Sequence, residues 1–423
     1  MRLRLLCRLV CLGLILTLGS GCFPHNRYRY SLQPLYGVDD PQFRRTMGTL
    51  LGPPLVEGNS VAVLLNGDQI FPAMLEAIHS AQKTITFETF VYWSGEVGRE
   101  FADALTERAS AGVKVHVILD AVGSDKIDHS YIKRMRDAGV EIEKYHPLRW
   151  YDLSSAKRLN NRTHRKLLVV DGKVGFTGGV GIADEWLGHA QDSQHWRDTH
   201  FKVEGPAVGQ LQAAFMDNWI ETHGWVLHGD DYFPPLEKHG ELVAQVFQSS
   251  SQGGSESMEL MYLLAISAAK HHLRICASYF VPDALTIRAL KEAGQRGVAV
   301  EIIVPGKKID EKLVRQASRA RWGDLLEAGV KIYEYQPAMY HCKVMIVDDL
   351  WVSIGSSNFD ARSFKLNDEA NLNVLDAKFA ARQTEVFEED LQHSKQISYQ
   401  AWKHRPFGQQ WLDGMSALLS PEL

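Results

Sequence analysis

The chain is poor in cysteine, with five in 423 residues. Cys7 and Cys11 sit in an apolar leader and Cys22 closes it. Only Cys276 and Cys342 remain, both on segments that read as core strands, so buried free thiols are expected rather than a disulfide. Positive charge is not in excess either. Lys and Arg number 46 against 51 Asp and Glu, giving a net charge of -5, which argues against a nucleic-acid partner unless a local basic groove hides in that average. Seventeen histidines are present, but no Cys/His set has the spacing of a metal site. Hydrophobic content of 45% and charged content of 23% are those of an ordinary globular protein, and the length suits roughly two to three domains.

The N-terminal apolar run Leu9 to Leu18 is too short to span a bilayer. With Arg2, Arg4 and Arg8 before it, it reads as the core of a signal peptide. Leu18-Gly19-Ser20-Gly21-Cys22 is similar to a lipobox, with Gly19 where leucine is commonest. Residues 1–22 are therefore expected to be a lipoprotein-type signal, with Cys22 lipidated. An ordinary cleaved signal or an uncleaved anchor are the alternatives. Two or more acyl chains would anchor the protein stably, and residues 23–57 would be a tether.

The densest chemistry lies between Met339 and Leu372. His341-x-Lys343 is followed by Asp348 and then by Gly355-Ser356-x-Asn358. Val344 to Val347 reads as a short buried strand. Alternate side chains share a face of a strand, so His341 and Lys343 project together and Cys342 points away. An imidazole beside an ammonium suits a phosphate: one attacks or donates a proton, the other neutralises oxyanion charge. Gly355 lets backbone come close, and Ser356 and Asn358 add hydrogen-bond donors. The same frame occurs earlier as His164-x-Lys166, Asp171 and Gly178-Gly179-x-Gly181. One such frame is usually a rim pair, but two with identical spacing mark a duplicated phosphate site.

The flanking sequence repeats as well. Helix and strand patterns alternate before each motif, as in an α/β layered sheet, and Asp137-Ala-Gly-Val-Glu-Ile142 matches Glu327-Ala-Gly-Val-Lys-Ile332. Asn66-Gly67-Asp68 reads as a turn. Thr84 to Trp93 reads as a strand with Glu88 and Phe90 on one face, and Ser249 to Ser257 as a loop. The join between the halves is placed between Trp225 and Lys238. The halves then run over 58–228, holding motif 164–171, and 238–423, holding motif 341–348 and a C-terminal amphipathic segment.

The paired H-x-K-x-x-x-x-D motifs resemble those of the phospholipase D superfamily. Thr86-Phe87-Glu88-Thr89-Phe90, Trp196-Arg197-Asp198-Thr199, Glu204-Gly205-Pro206 and Gly355-Ser356-Ser357-Asn358-Phe359-Asp360 are most similar to bacterial cardiolipin synthases, from about Gly58 onward. That family often has Asn at the position of Gly181. The resemblance implies two homologous α/β halves, each a mixed sheet flanked by helices, packed about a pseudo-twofold with the site between them. It implies transfer of a phosphatidyl group between phospholipids, with phosphatidylglycerol as substrate and phosphatidylethanolamine as a further candidate. A monomer in a bacterial envelope, lipid-anchored and facing the periplasm, is expected. The alternatives are a phospholipase D that uses water, a nucleic-acid phosphodiesterase, and a membrane-surface lipid-binding module without turnover.

The resemblance also makes His164 the nucleophile and His341 the acid/base, with the reverse left open. Lys166, Lys343 and Asn358 would clamp the phosphate with help from Ser356 and Gly179, so neither metal nor cofactor is required. Asp171 and Asp348 are read as structural and ion-paired. A nucleophilic imidazole needs its other nitrogen fixed. Asp198 is expected to do this for His164 and Glu369 for His341, unless Asp198 merely pairs Arg197 and Glu369 is a surface acid. Trp219, Trp225, Tyr399, Trp402, Phe407 and Trp411, with Lys403 and Arg405, form either a membrane-facing surface or ordinary packing.

Overall fold

The computed structural model describes residue 30 and residues 32–147, 160–250 and 257–418. Cys22, most of the loop before the first motif and the centre of the Ser249–Ser257 tract lie outside these residues. Apolar alternation builds the first seven strands: β1 (Val56–Leu65), β2 (Thr84–Thr89), β3 (Lys114–Asp120), β4 (Glu141–Tyr145), β5 (Leu167–Val170), β6 (Val174–Gly178) and β7 (Thr199–Glu204). β2, β3 and β4 run parallel. Parallel neighbours need crossovers, which the helices Glu96–Ser110 and His129–Asp137 supply. β5, β6, β7 and β1 continue the sheet antiparallel.

The second half repeats the plan with β8 (Leu242–Ser249), β9 (His272–Ala277), β10 (Phe280–Val281), β11 (Ala299–Pro305), β12 (Lys331–Tyr335), β13 (Lys343–Val347), β14 (Trp351–Gly355), β15 (Phe359–Asp360), β16 (Glu369–Leu375) and β17 (Ser394–Ile397). The sheet order is β17-β12-β11-β9-β13-β14-β16-β8-β1-β7-β6-β5-β2-β3-β4. Read outward from the central β8–β1 pair, each half presents the same order of seven strands, and β17 is added at one edge. β10 and β15 pair separately.

Period-two alternation sets the two faces. In β5, Leu167 and Val169 enter the core beneath the helix Ala207–His223. Leu168 and Val170 enter the opposite core, beneath Asn66–Ser80 and Glu96–Ser110. Fully burying each such side chain is worth about 1.5–3 kcal/mol. In β2, Ile85 and Phe87 join that outer core, while Thr86 and Glu88 turn to Gln212 and Asn218 of the helix Ala207–His223.

Two local expectations change. Asn66-Gly67-Asp68 opens the helix Asn66–Ser80 rather than forming a free turn. Asn66 takes the positive φ of 59°, and a side chain on Gly67 would meet the Trp186 carbonyl at 1.9 Å. The second strand stops at Thr89, before Phe90.

Candidate active site

His164 and Lys166 lie just before β5, and Lys343 opens β13 two residues after His341. The alternation expected there holds. Lys343 Nζ is 3.2 Å from each ring nitrogen of His341, whereas the Cys342 thiol faces the Arg197 carbonyl at 3.7 Å. Cys276 and Cys342 are both buried and unbridged. Lys166 and Lys343 also donate to the carbonyls of their own histidines, at 2.7 and 2.8 Å.

The two halves meet through these motifs. The His164 N–H donates to the Asp368 carbonyl at 2.9 Å, and the His341 N–H donates to the Arg197 carbonyl at 2.7 Å. Short parallel bridges pair Thr163 with Asp368 and Arg197 with Tyr340. Each bridge sets a histidine beside the acid that follows its partner. His164 Nδ1 is 3.0 Å from both carboxylate oxygens of Glu369, and His341 Nδ1 is 2.7 Å from Asp198 Oδ2. The expected pairing within each half is therefore corrected: every histidine is held by the acid of the other half. Arg197 pairs with Asp390, at 2.8 and 3.0 Å, rather than with Asp198, and Glu369 is fully buried rather than a surface acid.

A carboxylate only accepts, so Nδ1 of each imidazole carries the hydrogen and Nε2 keeps its lone pair. Burial pushes the His164 pKa down to about 4, with Glu369 opposing and Lys166 assisting. Burial and then Lys343 lower that of His341. Burial also brings Lys166 down to about 7 and lowers Lys343. Burial works to raise Glu369 and Asp198, but their histidines and neighbouring lysines outweigh it, so both are held below the usual range. The site thus presents neutral imidazoles on ionised acids, beside lysines whose charge a phosphate would stabilise.

The remaining predicted residues divide. Asp171 and Asp348 are not ion-paired. Asp171 accepts from the backbone N–H groups of Gln82, Lys83 and Thr84, and Asp348 from those of Lys270, His271 and His272. Ser356 donates its hydroxyl to Glu369, so it braces the acid. Gly179 serves Asp198 by absence: an added Cβ would lie 2.2 Å from its Oδ1. At Gly181 a Cβ would meet Val91 at 2.7 Å, so an asparagine there would require Val91 to shift.

Sequence reasoning missed Ser278. Its hydroxyl donates to Asn358 Oδ1 at 2.7 Å, and Lys343 donates to it at 2.8 Å. The position equivalent to Ser278 in the first half is Phe90, whose ring lies 5.3 Å from His164 and 5.8 Å from Lys166. Aligning the two repeats by strand could have revealed this. One half offers a polar cradle of Lys343, Ser278 and Asn358, and the other an aromatic wall over Lys166. The proposed aromatic surface breaks up: Trp219 is wholly buried, whereas Trp225, Phe407 and Trp411 are exposed. No helix among the described residues is long and apolar enough to cross a membrane.

Two α/β repeats that face one another and contribute matched His-Lys pairs define an enzyme of the phospholipase D superfamily. Within it, the chain belongs to the family described as cardiolipin synthase, PLD-like domain, whose sequence model matches residues 74–219 and 262–391. It is 38% identical over 372 residues to a cardiolipin synthase of Geobacillus thermodenitrificans (strain NG80-2), covering 88% of this chain and 74% of that one. It is 35% identical over 369 residues to the major cardiolipin synthase of Bacillus subtilis (strain 168), covering 87% and 76%. The phosphatidylserine synthase structure of Haemophilus influenzae Rd KW20 shares the fold, with a TM-score of 0.70 at 16% identity, over 90% of this chain and all of that one.

Proposed function

We propose that this chain is a cardiolipin synthase-type phosphatidyltransferase that acts on phospholipids at a bacterial membrane through a phosphohistidine. The observation that carries the reading is the reciprocal pinning of two neutral imidazoles, each on a buried acid of the opposite half and each beside a buried lysine. His164 Nε2 attacks phosphorus, and the bond from phosphorus to the donor's headgroup oxygen breaks as His341 gives that oxygen a proton. The anionic phosphodiester raises the pKa of His341 on binding and so allows it to carry this proton. His341 then takes a proton from the acceptor hydroxyl, whose oxygen displaces His164. Lys166, Lys343 and Asn358 offset charge on the non-bridging oxygens. Asp171 and Asp348 stay outside the chemistry. The order of the two histidines follows the superfamily resemblance, since both imidazoles are prepared alike.

Phosphatidylglycerol as both donor and acceptor would give cardiolipin. Lipids extracted from cells overexpressing the protein should accumulate cardiolipin, and a His164→Ala control should not. Accumulation of phosphatidic acid instead would replace the transferase reading with a hydrolase. We also propose Cys22 as a lipid anchor in the envelope. Incorporation of a fatty-acid analogue should vanish in Cys22→Ser, and label that persists there would remove that residue as the site.

A further inference from the structure

The helix Phe407–Ala417 is built inside out. Its buried positions are polar, Asp413 and Ser416. Asp413 is fully buried between Arg319 and Arg405, and Ser416 donates to Gln316 at 2.8 Å. Phe407, Trp411, Leu412, Met415 and Leu418 point outward, each 45% to 81% exposed. Spacings of three and four residues put them in one stripe. The Arg319–Asp413 ion pair and the Ser416–Gln316 bond fasten the helix to Lys312–Glu327, so these attachments do not use the apolar face.

We infer that this stripe docks the enzyme on an anionic phospholipid surface, together with the neighbouring loop at Lys307–Lys312. Three observations choose lipid as the occupant. The helix spans only about 16 Å, too short to cross a bilayer but suited to lying in the headgroup layer, with its apolar side about 5–10 Å deep. The side-chain types are those of such helices, with aromatic residues among aliphatic ones. The charge around the stripe is locally positive in a chain of net charge -5. Arg319 and Arg405 over-compensate Asp413. Gln316, the Ser416 partner, stands one turn beyond Lys312, which is exposed together with Lys307 and Lys308. Asp310 of that loop is exposed and accepts from the Tyr279 hydroxyl at 2.6 Å, so the three lysines stand against two acids, Asp310 and Glu311.

That contact also links the surface to the chemistry. The Tyr279 ring packs edge-on to His341 with centroids 6.2 Å apart. Docking would therefore set the loop at Lys307–Lys312 against headgroups next to the acid/base histidine. The choice of lipid rests on the phosphatidyltransferase reading, and the test separates the two.

An environment-sensitive dansyl amino acid placed at position 412 of the full chain should shift to the blue with phosphatidylglycerol vesicles. The same probe at position 133, on the first half, should not. Trp411→Glu with Met415→Glu should cut turnover of vesicle-borne phosphatidylglycerol about tenfold and leave turnover of a soluble short-chain substrate unchanged. No shift at 412, an equal shift at 133, or full vesicle activity in the double variant would overturn the proposal. So would loss of a dimer in the double variant without any vesicle response, because a second copy would then be the occupant. A shift at 412 in a protein that turns over no phospholipid would support docking and sink only the enzymatic reading.

Discussion

His164 and His341 are each held by a buried acid and stand beside a lysine, so what separates them is tested by what each must do. If His164 attacks, His341→Ala should still form one equivalent of phospho-adduct from a substrate with a good leaving group such as p-nitrophenol, then stall. Natural lipid, whose alkoxide leaves poorly, should lose about 10²–10⁴-fold. His164→Ala should form no adduct, and an adduct on His341 in that variant would reverse the roles. The cross-half pairing adds a sharper expectation. Glu369→Gln should slow the burst itself, on the order of 10²-fold, whereas Asp198→Asn should spare the burst and slow the steps after it. The opposite pattern would restore pairing within each half. The pH profile follows from the same groups. His164 frees its lone pair as pH rises through about 4, and Lys166 loses its charge as pH rises through about 7. On a soluble substrate, kcat/KM should be highest between these limits. In kcat the alkaline limb should lie higher, because the bound phosphodiester holds Lys166 charged. An acid limb of kcat/KM near 6.5 would mean that His164 is not desolvated as the structure has it.

At the scale of elements, the two motif aspartates act on strands rather than on substrate. Each sits at the tight turn after its strand with a positive φ, 51° for Asp171 and 49° for Asp348, and gathers three N–H groups at the start of the neighbouring strand. Asp171→Ala should cost about 1–3 kcal/mol of stability, read by denaturant unfolding, with the adduct burst unchanged in the folded fraction. Asp171→Asn should be milder, since asparagine tolerates that φ and keeps an acceptor. Loss of the burst without loss of stability would put the aspartate back in the chemistry. The strands and helices themselves were largely legible, because period two and period 3.6 are local properties. The motif spacing gave both His-Lys pairs for the same reason. What could not be read was tertiary: which acid reaches which histidine depends on bridges between the halves, and each acid follows the wrong histidine in the chain. Trp219 stayed open between surface and packing because it sits among polar neighbours in the chain, and the fold settles it as core. Ser356 and Gly179 looked like phosphate donors and instead make room for, or hold, the acids.

Over the whole molecule, each half is an incomplete enzyme, and the structure puts much of its buried polar bonding into their junction. Arg197 crosses to Asp390, Tyr145 donates to Asp368, and both histidine–acid pairs cross as well. β1 and β8 join the sheets edge to edge. By contrast, residues 224–241 carry neither helix nor strand and are mostly exposed. The covalent connection should therefore matter far less than the junction it spans. A protease site introduced at Glu237-Lys238, both exposed, should be cut without loss of turnover, and the two fragments should elute together under native conditions. Breaking a buried ion pair from one side costs about 3–5 kcal/mol. Arg197→Met in the nicked protein should therefore separate the fragments, and both His164 and His341 should fall silent together, since each would lose the acid supplied by the other half. Fragments that part on nicking alone, or a separated half that still forms the adduct, would show that the halves are not coupled in this way.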